Sequence, residues 1–277
     1  MPVSSHINKG MIKNLVLVGC GHMGFAMLQP WALKHAAENI WVVTPDAASL
    51  HGLQEKGVRH VAYPNTLPPD VTPDVIMFAV KPQILEAVIA EYTIYKESLF
   101  LSVAAGKRMT VYESRLGTTA RIVRVMPNLP AKVAEAATLL VANSQVTMVD
   151  IQNTEKLLGM LGTTSWLKDE SLMDVATALS GCGPAYFYLL SDILGELGHE
   201  MGLPKDLANA LAKQTMVGSA ALWKQEQSPA HTMHQNIAVK GGLTEAALQE
   251  LTQNDALKGL MRKALLAASE RGKKLSG

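Results

Sequence analysis

The sequence has little of what would mark a secreted, membrane-spanning or nucleic-acid-binding protein. Its 277 residues include only two cysteines, Cys20 and Cys182, too few for a disulfide framework or a cysteine-rich zinc site. Charged residues make up 18% of the chain and the net charge is +1, without the basic excess of a nucleic-acid-binding surface. Residues 1–10 are polar and lack the apolar core of a signal peptide, and no apolar run reaches the about 18 residues of a membrane span. We therefore expect a soluble, cytoplasmic protein.

A glycine-rich turn follows the first apolar run. Residues 12–18 predict a strand ending at Val18, and Gly19-Cys20-Gly21-His22-Met23-Gly24 leads from it into a predicted helix. In a dinucleotide-binding turn of this pattern, Gly19 permits the tight turn, Gly21 lets the backbone approach a pyrophosphate, and Gly24 lets helix and strand pack closely. A purely structural glycine-rich turn is the alternative.

The end of the second predicted strand bears on the choice of cofactor. Residues 40–43 are apolar and are followed by Thr44, where an acidic residue would bind the ribose hydroxyls of NADH. A threonine hydroxyl accommodates the 2′-phosphate of NADPH without repelling it, so we favour NADPH. Asp46 keeps NADH possible, and no arginine is next to Thr44 in the sequence.

Three later apolar runs also end in small or polar residues. Residues 75–80, 99–103 and 122–125 predict buried strands. They end near residues 79–82, 104–106 and 126–128, as expected where an open α/β sheet binds a nucleotide. The sequence therefore predicts a Rossmann-type N-terminal domain.

From about residue 168 the strand patterns give way to helix patterns. We predict a dinucleotide-binding domain over residues 1–168 and an all-helical domain over residues 169–277. Its helices are unusually apolar and rich in small residues, which predicts burial against a second subunit. Packing on the first domain alone is the alternative.

Four blocks of the sequence resemble the pyrroline-5-carboxylate reductase family, in order and spacing along almost the whole chain. They are Gly19 to Gly24, Ala79-Val80-Lys81-Pro82, Met126-Pro127-Asn128-Leu129-Pro130, and Leu179-Ser180-Gly181-Cys182-Gly183-Pro184-Ala185-Tyr186. The resemblance implies a Rossmann domain followed by a dimerisation domain, in homodimers that often form decamers. It also implies an oxidoreductase that transfers a hydride from NADPH to the C=N bond of 1-pyrroline-5-carboxylate, the last step of proline biosynthesis.

A fifth block matches only in part. Family members have a Ser-Pro-Gly-Gly-Thr-Thr type loop that holds the substrate carboxylate. This chain keeps the two glycines and Thr244, but has Val239, Lys240 and Leu243 at the serine, proline and first threonine positions. Lys240 either supplies a replacement cation or points to solvent. The change bears on substrate identity more than on reaction type.

The resemblance also carries over functional residues. Thr244 is the predicted hydrogen-bond donor at the substrate, the alternative being a cap on the helix that begins there. Glu170 matches a position near the substrate ring, the alternative being a solvated loop carboxylate. The predicted substrate-binding residues are Glu170, Asn236, Gly242, Leu243 and Thr244. The predicted cofactor-binding residues are Val18, Gly19, Cys20, Gly21, His22, Met23, Gly24, Thr44, Asn65, Ala79, Val80, Lys81, Pro82, Ala104, Ala105 and Asn236.

Other functions remain to be weighed against this one. A hydroxyacid dehydrogenase of similar layout places a lysine on the helix that opens its second domain, but residues 174–202 contain no Lys or Arg. A reductase of a related cyclic imine acid, or a non-catalytic NADP-binding module, would fit the altered loop. His199, His231 and His234 lack the spacing and carboxylate of a metal site, so no metal is expected.

Overall fold

The structure, a computed structural model, describes residues 12–50 and 52–275. The signal-peptide prediction concerns residues 1–10 and lies outside them. The chain forms two compact units. The first unit contains the residues up to Gly181 and also those from Ala268 onward, and the second unit is Cys182–Ala267. The predicted domain boundary between residues 168 and 169 stays a prediction.

A single sheet forms the centre of the first unit. Its strands within the described residues are β1 (Asn14–Val18), β2 (Asn39–Val43), β3 (Val58–Val61), β4 (Val75–Phe78), β5 (Leu99–Ser102), β6 (Arg121–Met126), β7 (Ala136–Ala142) and β8 (Gly162–Trp166). They lie in the order β3-β2-β1-β4-β5-β6-β7-β8. The first six strands in this order, from β3 through β2, β1, β4 and β5 to β6, are parallel to one another, and β7 runs antiparallel to β6. The carboxyl ends of the parallel strands therefore share one edge of the sheet.

Helices cover the first unit and build the second. They are α1 (His22–Leu33), α2 (Leu85–Ala90), α3 (Met109–Leu116), α4 (Met148–Gly159), α5 (Met173–Ser180), α6 (Gly183–Glu200), α7 (Lys205–Gln225), α8 (Ala230–Ile237), α9 (Leu243–Thr252) and α10 (Ala256–Leu275). No helix in the described part of the chain is long and apolar enough to cross a membrane.

The apolar runs became central strands because both of their faces are buried. Every residue of β1, β4 and β5 is buried, and two apolar clusters, one on each face of the sheet, pack against them. This confirms the predicted Rossmann-type N-terminal domain. The predicted run 75–80 leaves the sheet at Phe78, so Ala79 and Val80 lie in the turn after β4.

Strand β8 was missed at the level of sequence. Its residues, Gly-Thr-Thr-Ser-Trp, contain no apolar run, and they alternate between half-buried and exposed positions. The strand lies at an edge and pairs only with β7 among the described strands. A strand that buries so little apolar surface leaves no hydrophobic pattern to detect.

The second unit exposes an unusual amount of apolar surface. The buried residues of α6 are two glycines, Gly183 and Gly195, and α7 buries only Ala208. Large apolar side chains on both helices are about half exposed, among them Phe187 at 60%, Leu190 at 52% and Leu211 at 50%. Large apolar side chains exposed in such number are typical of an interaction site on a protein.

Asn128 ties the end of β6 to two other parts of the first unit. Its side-chain Nδ2 donates to Ser180 O at 3.0 Å, and its Oδ1 accepts from Ala137 N at 3.0 Å. The residue is only 8% exposed. Replacing Asn128 by alanine leaves both backbone groups without their partner, so we expect the free energy of unfolding to fall by about 1–3 kcal/mol. Urea denaturation measures this loss of stability. Alanine at the exposed Asn65 is the control, and an equal loss in the two variants would contradict the prediction.

Candidate active site

The glycine-rich turn lies between β1 and α1 and is backed by the turn after β4. Gly19 has φ +85°, and a Cβ on it would lie 2.7 Å from Val80 Cγ1 and 3.0 Å from Ala79 O. A Cβ on Gly24 would lie 2.7 Å from Gly19 O. Both positions are therefore closed to side chains, and the predicted residues 18–24 and 79–80 lie together.

Gly21 is different because it faces open space. A Cβ there would meet no atom within 4 Å, so packing within the chain does not require a glycine at this position. Gly21 is the N-cap of α1 and has no side chain to cap its amides. The positive end of the helix dipole and the free N–H groups of its first turn favour a phosphate. The open space at Gly21 and the first amides of α1 therefore fit a dinucleotide pyrophosphate.

Thr44 directly follows β2 and is 9% exposed. The carboxylate of Asp46 accepts the N–H of Ala48 at 2.8 Å, so it helps to close the local turn. The neighbouring strand β3 adds a residue that sequence analysis missed, since His60 Nε2 lies 2.8 Å from Thr44 O. The register Val42↔His60 brings His60 there, and residues sixteen apart give no local sequence signal. Asn65 is exposed in the short 3-10 turn Pro64–Thr66.

The turn after β5 holds the predicted Ala104 and Ala105. Ala104 is buried and Ala105 is exposed. Ser102 Oγ accepts from Ala104 N at 3.3 Å and from the hydroxyl of Tyr112 at 2.8 Å. Burial raises the pKa of Tyr112 above its ordinary value. Lys81 is exposed after β4, and Pro82 beside it is half-buried.

Glu170 is a paired carboxylate. Its Oε1 lies 2.5 Å from Nη1 of the buried Arg124 and accepts from Met109 N at 2.6 Å. The alternative of a solvated loop carboxylate is therefore wrong, because β6 and α3 bring two donors to this group. The predicted contact of Glu170 with a substrate stays a prediction.

The altered loop lies in the second unit, between α8 and α9. Gly242 N donates to Val239 O at 2.9 Å, and Gly241 N donates to the Glu245 carboxylate at 2.7 Å. Gly242 is the N-cap of α9, and Thr244 is the second helical residue. The alternative role of Thr244 as the helix cap is therefore wrong. Asn236 is exposed in the last turn of α8.

The residues that depart from the family pattern all point away from the protein interior. Val239 is 71% exposed and Leu243 is 93% exposed, and Lys240 is exposed as well. Gly241 and Gly242 keep the turn itself, so the substitutions change the surface of the loop while its backbone contacts remain.

Two family models match the chain in these regions. The model described as pyrroline-5-carboxylate reductase dimerisation matches residues 170–275. The model described as NADP oxidoreductase, coenzyme F420-dependent, matches residues 14–106. The first covers the helical region, and the second covers the glycine-rich turn and the strands β1 to β5.

Curated proteins and solved structures match over almost the full length. The pyrroline-5-carboxylate reductase of Pasteurella multocida is 35% identical over 269 residues, which cover 95% of this chain and 98% of that protein. The structure of a pyrroline-5-carboxylate reductase from Coxiella burnetii has a TM-score of 0.89 at 30% identity, covering 96% of this chain and 99% of that one. The Plasmodium falciparum pyrroline carboxylate reductase structure, with NADP bound, has a TM-score of 0.82 at 30% identity, covering 97% and 100%.

Proposed function

The chain belongs to the pyrroline-5-carboxylate reductase family, and we propose that it reduces 1-pyrroline-5-carboxylate to L-proline with NADPH, the last step of proline biosynthesis. The observation that carries this proposal is the 35% identity to a reductase over 95% of the chain. The geometry of the glycine-rich turn supports it, because Gly21 alone of the three motif glycines faces open space.

NADPH supplies the hydride, which the imine carbon accepts while the ring nitrogen carries the proton. The chain binds and orients the two reactants. Residues 18–24 and the amides of α1 hold the pyrophosphate, and Ala79 to Pro82, Ala104 and Ala105 line the cofactor at the ends of β4 and β5. Asn65 and Asn236 are further proposed cofactor contacts.

The loop between α8 and α9 holds the substrate in this proposal. The unpaired amides at the start of α9 attract its carboxylate. The Thr244 hydroxyl donates a hydrogen bond to the lone pair that the ring nitrogen gains as the hydride adds to the imine carbon. Leu243 contributes a backbone donor, and Gly242, whose own N–H donates to Val239 O, lines the substrate beside it. Protonation of the imine nitrogen makes its carbon electrophilic, so the reaction needs no metal or nucleophilic side chain.

Thr44 supports NADPH as the preferred cofactor, with NADH as a poorer one. We expect Thr44→Asp to weaken NADPH binding by about tenfold or more, because a carboxylate at this site repels a 2′-phosphate and accepts from ribose hydroxyls. Steady-state KM values for both cofactors measure the change, with Thr44→Ser as the variant that keeps the hydroxyl. An unchanged ratio of the two KM values would place the 2′-phosphate elsewhere.

The assembly we propose is a homodimer that builds a decamer, in the cytoplasm. The match to a dimerisation model over residues 170–275 and the half-exposed apolar side chains of α6 and α7 support a dimer, since burying them stabilises association. Sedimentation velocity distinguishes monomer, dimer and decamer.

The test of function is NADPH oxidation followed by absorbance. Purified protein is assayed with the five-membered imine 1-pyrroline-5-carboxylate, with its six-membered homologue, and without any imine. We expect turnover with the five-membered imine. Faster turnover with the six-membered ring would favour a related cyclic imine acid, which the altered loop residues Val239, Lys240 and Leu243 leave open. NADPH binding without turnover of either imine would favour a non-catalytic module.

A further inference from the structure

The turn between β5 and α3 is held by a buried chain of hydrogen bonds on its β5 side. The Tyr112 hydroxyl donates to Ser102 Oγ at 2.8 Å, and Ser102 Oγ accepts from Ala104 N at 3.3 Å. Tyr112 is fully buried and Ser102 is 2% exposed, so water does not compete for these bonds. The Tyr112 ring belongs to α3, and its hydroxyl therefore connects the body of that helix to the backbone of Ala104.

A second, partly buried contact holds the α3 side of the same turn. Helix α3 begins at Met109, and its N-cap, Arg108, makes no capping side-chain hydrogen bond. The Glu170 carboxylate takes that role, accepting Met109 N at 2.6 Å. Arg124 on β6 holds the same carboxylate at 2.5 Å, and the guanidinium side chain of Arg124 is 6% exposed.

The two contacts meet on adjacent strands. Ser102 on β5 and Arg124 on β6 are register partners. The Ser102–Tyr112 hydrogen bond therefore holds one end of residues 103–108, and the Arg124–Glu170 ion pair holds the other. Burial raises the pKa of Tyr112, which keeps its hydroxyl protonated and able to donate. The segment between the two contacts contains Ala104 and Ala105, the proposed cofactor residues.

We propose that Tyr112 and Glu170 are positioning residues that fix the Ala104–Ala105 turn for the cofactor, and that Glu170 does not touch the imine substrate. The inference rests on the proposed function, because it takes Ala104 and Ala105 as cofactor contacts. It replaces the expected substrate contact of Glu170 by an action through the first amide of α3.

The chain offers a matched control for the tyrosine. Tyr92 is also fully buried, but its hydroxyl has no hydrogen-bond partner within the described structure. Tyr112→Phe and Tyr92→Phe thus remove the same atom from equally buried rings, and only the first removes a hydrogen bond to the turn. Glu170→Gln keeps an acceptor for Met109 N while losing the charge that faces Arg124.

The experiment measures the Kd of NADPH by fluorescence, and the kcat of the reaction and the KM for the imine substrate by steady-state kinetics. We expect Tyr112→Phe, which loses a buried hydrogen bond, and Glu170→Gln, which loses the charge that pairs with Arg124, each to weaken NADPH binding by about three- to tenfold. The KM for the imine is expected to change less than twofold. Tyr92→Phe is expected to match the unmodified protein. Circular dichroism verifies that each variant is folded.

Several results would overturn the proposal. One is equal NADPH affinity in Tyr112→Phe and Tyr92→Phe. Another is a raised imine KM in Glu170→Gln with unchanged NADPH affinity, which would mean that Glu170 binds substrate. Because cofactor binding is measured without imine, failure of the positioning role is distinguishable from failure of the reductase activity. In a cycle with Ser102→Ala, we expect the losses of NADPH affinity to be non-additive with Tyr112→Phe, since both remove the same link.

Discussion

Replacing Gly21 by alanine is expected to weaken NADPH binding by about tenfold or more while leaving the free energy of unfolding almost unchanged. The added methyl group meets no protein atom within 4 Å, so the fold accommodates it without a clash. It does occupy the space at the α1 N-terminus where the pyrophosphate approaches the backbone. A tenfold loss corresponds to about 1.4 kcal/mol of binding free energy.

Gly24→Ala is the matched comparison and behaves in the opposite way. Its methyl group would lie 2.7 Å from Gly19 O, so strand and helix must move apart even without cofactor. We expect a loss of about 1–3 kcal/mol in the free energy of unfolding. Denaturation curves and NADPH titrations of both variants separate the two effects. A Gly21→Ala protein that binds NADPH normally would remove the glycine-rich turn from the cofactor site.

Replacing Thr244 by valine is expected to lower kcat/KM for the five-membered imine by about a hundredfold, at the low end for loss of a donor to a reacting group. Valine keeps the shape of the side chain and removes the hydroxyl. Because Gly242 is the N-cap of α9, loss of the Thr244 hydroxyl does not uncap the helix. The fold and the Kd of NADPH should therefore stay unchanged.

Two variants control for this result. Thr244→Ser keeps the hydroxyl and should retain most of the activity. Thr252→Val makes the same substitution at the end of α9, where the hydroxyl donates to Leu248 O, and should leave kcat/KM within about twofold. Full activity in Thr244→Val would exclude the hydroxyl from the mechanism, whatever the reaction turns out to be.

The central strands and the cofactor turn could be predicted from sequence because each leaves a local pattern. β1, β4 and β5 are buried on both faces and are therefore largely apolar runs. Gly19 is required by its φ of +85°, and Gly24 by the close approach of Gly19 O. Strand β8 is half exposed and leaves no such run. Local sequence patterns thus reveal strands that are buried, and they miss an exposed strand that is held only by its hydrogen-bonded neighbour.

Long-range side-chain pairings could not be predicted from the sequence, for a different reason. His60 meets Thr44 through strand register, and Glu170 meets Arg124 forty-six residues away in sequence. Neither pairing follows from spacing or composition, since both depend on which strands become neighbours. The resemblance pointed to Glu170 as a residue of interest, but it could not show that Met109 N and Arg124 already occupy its carboxylate.

The half-exposed apolar residues of α6 and α7 connect the stability of this protein to its concentration. If a second copy supplies the missing half of that core, folding and association are one equilibrium, and the free energy of unfolding depends on protein concentration. A dilute sample would then melt at a lower temperature than a concentrated one, with no change in sequence, buffer or cofactor. Free energies of unfolding of the variants above are therefore comparable only at equal protomer concentration.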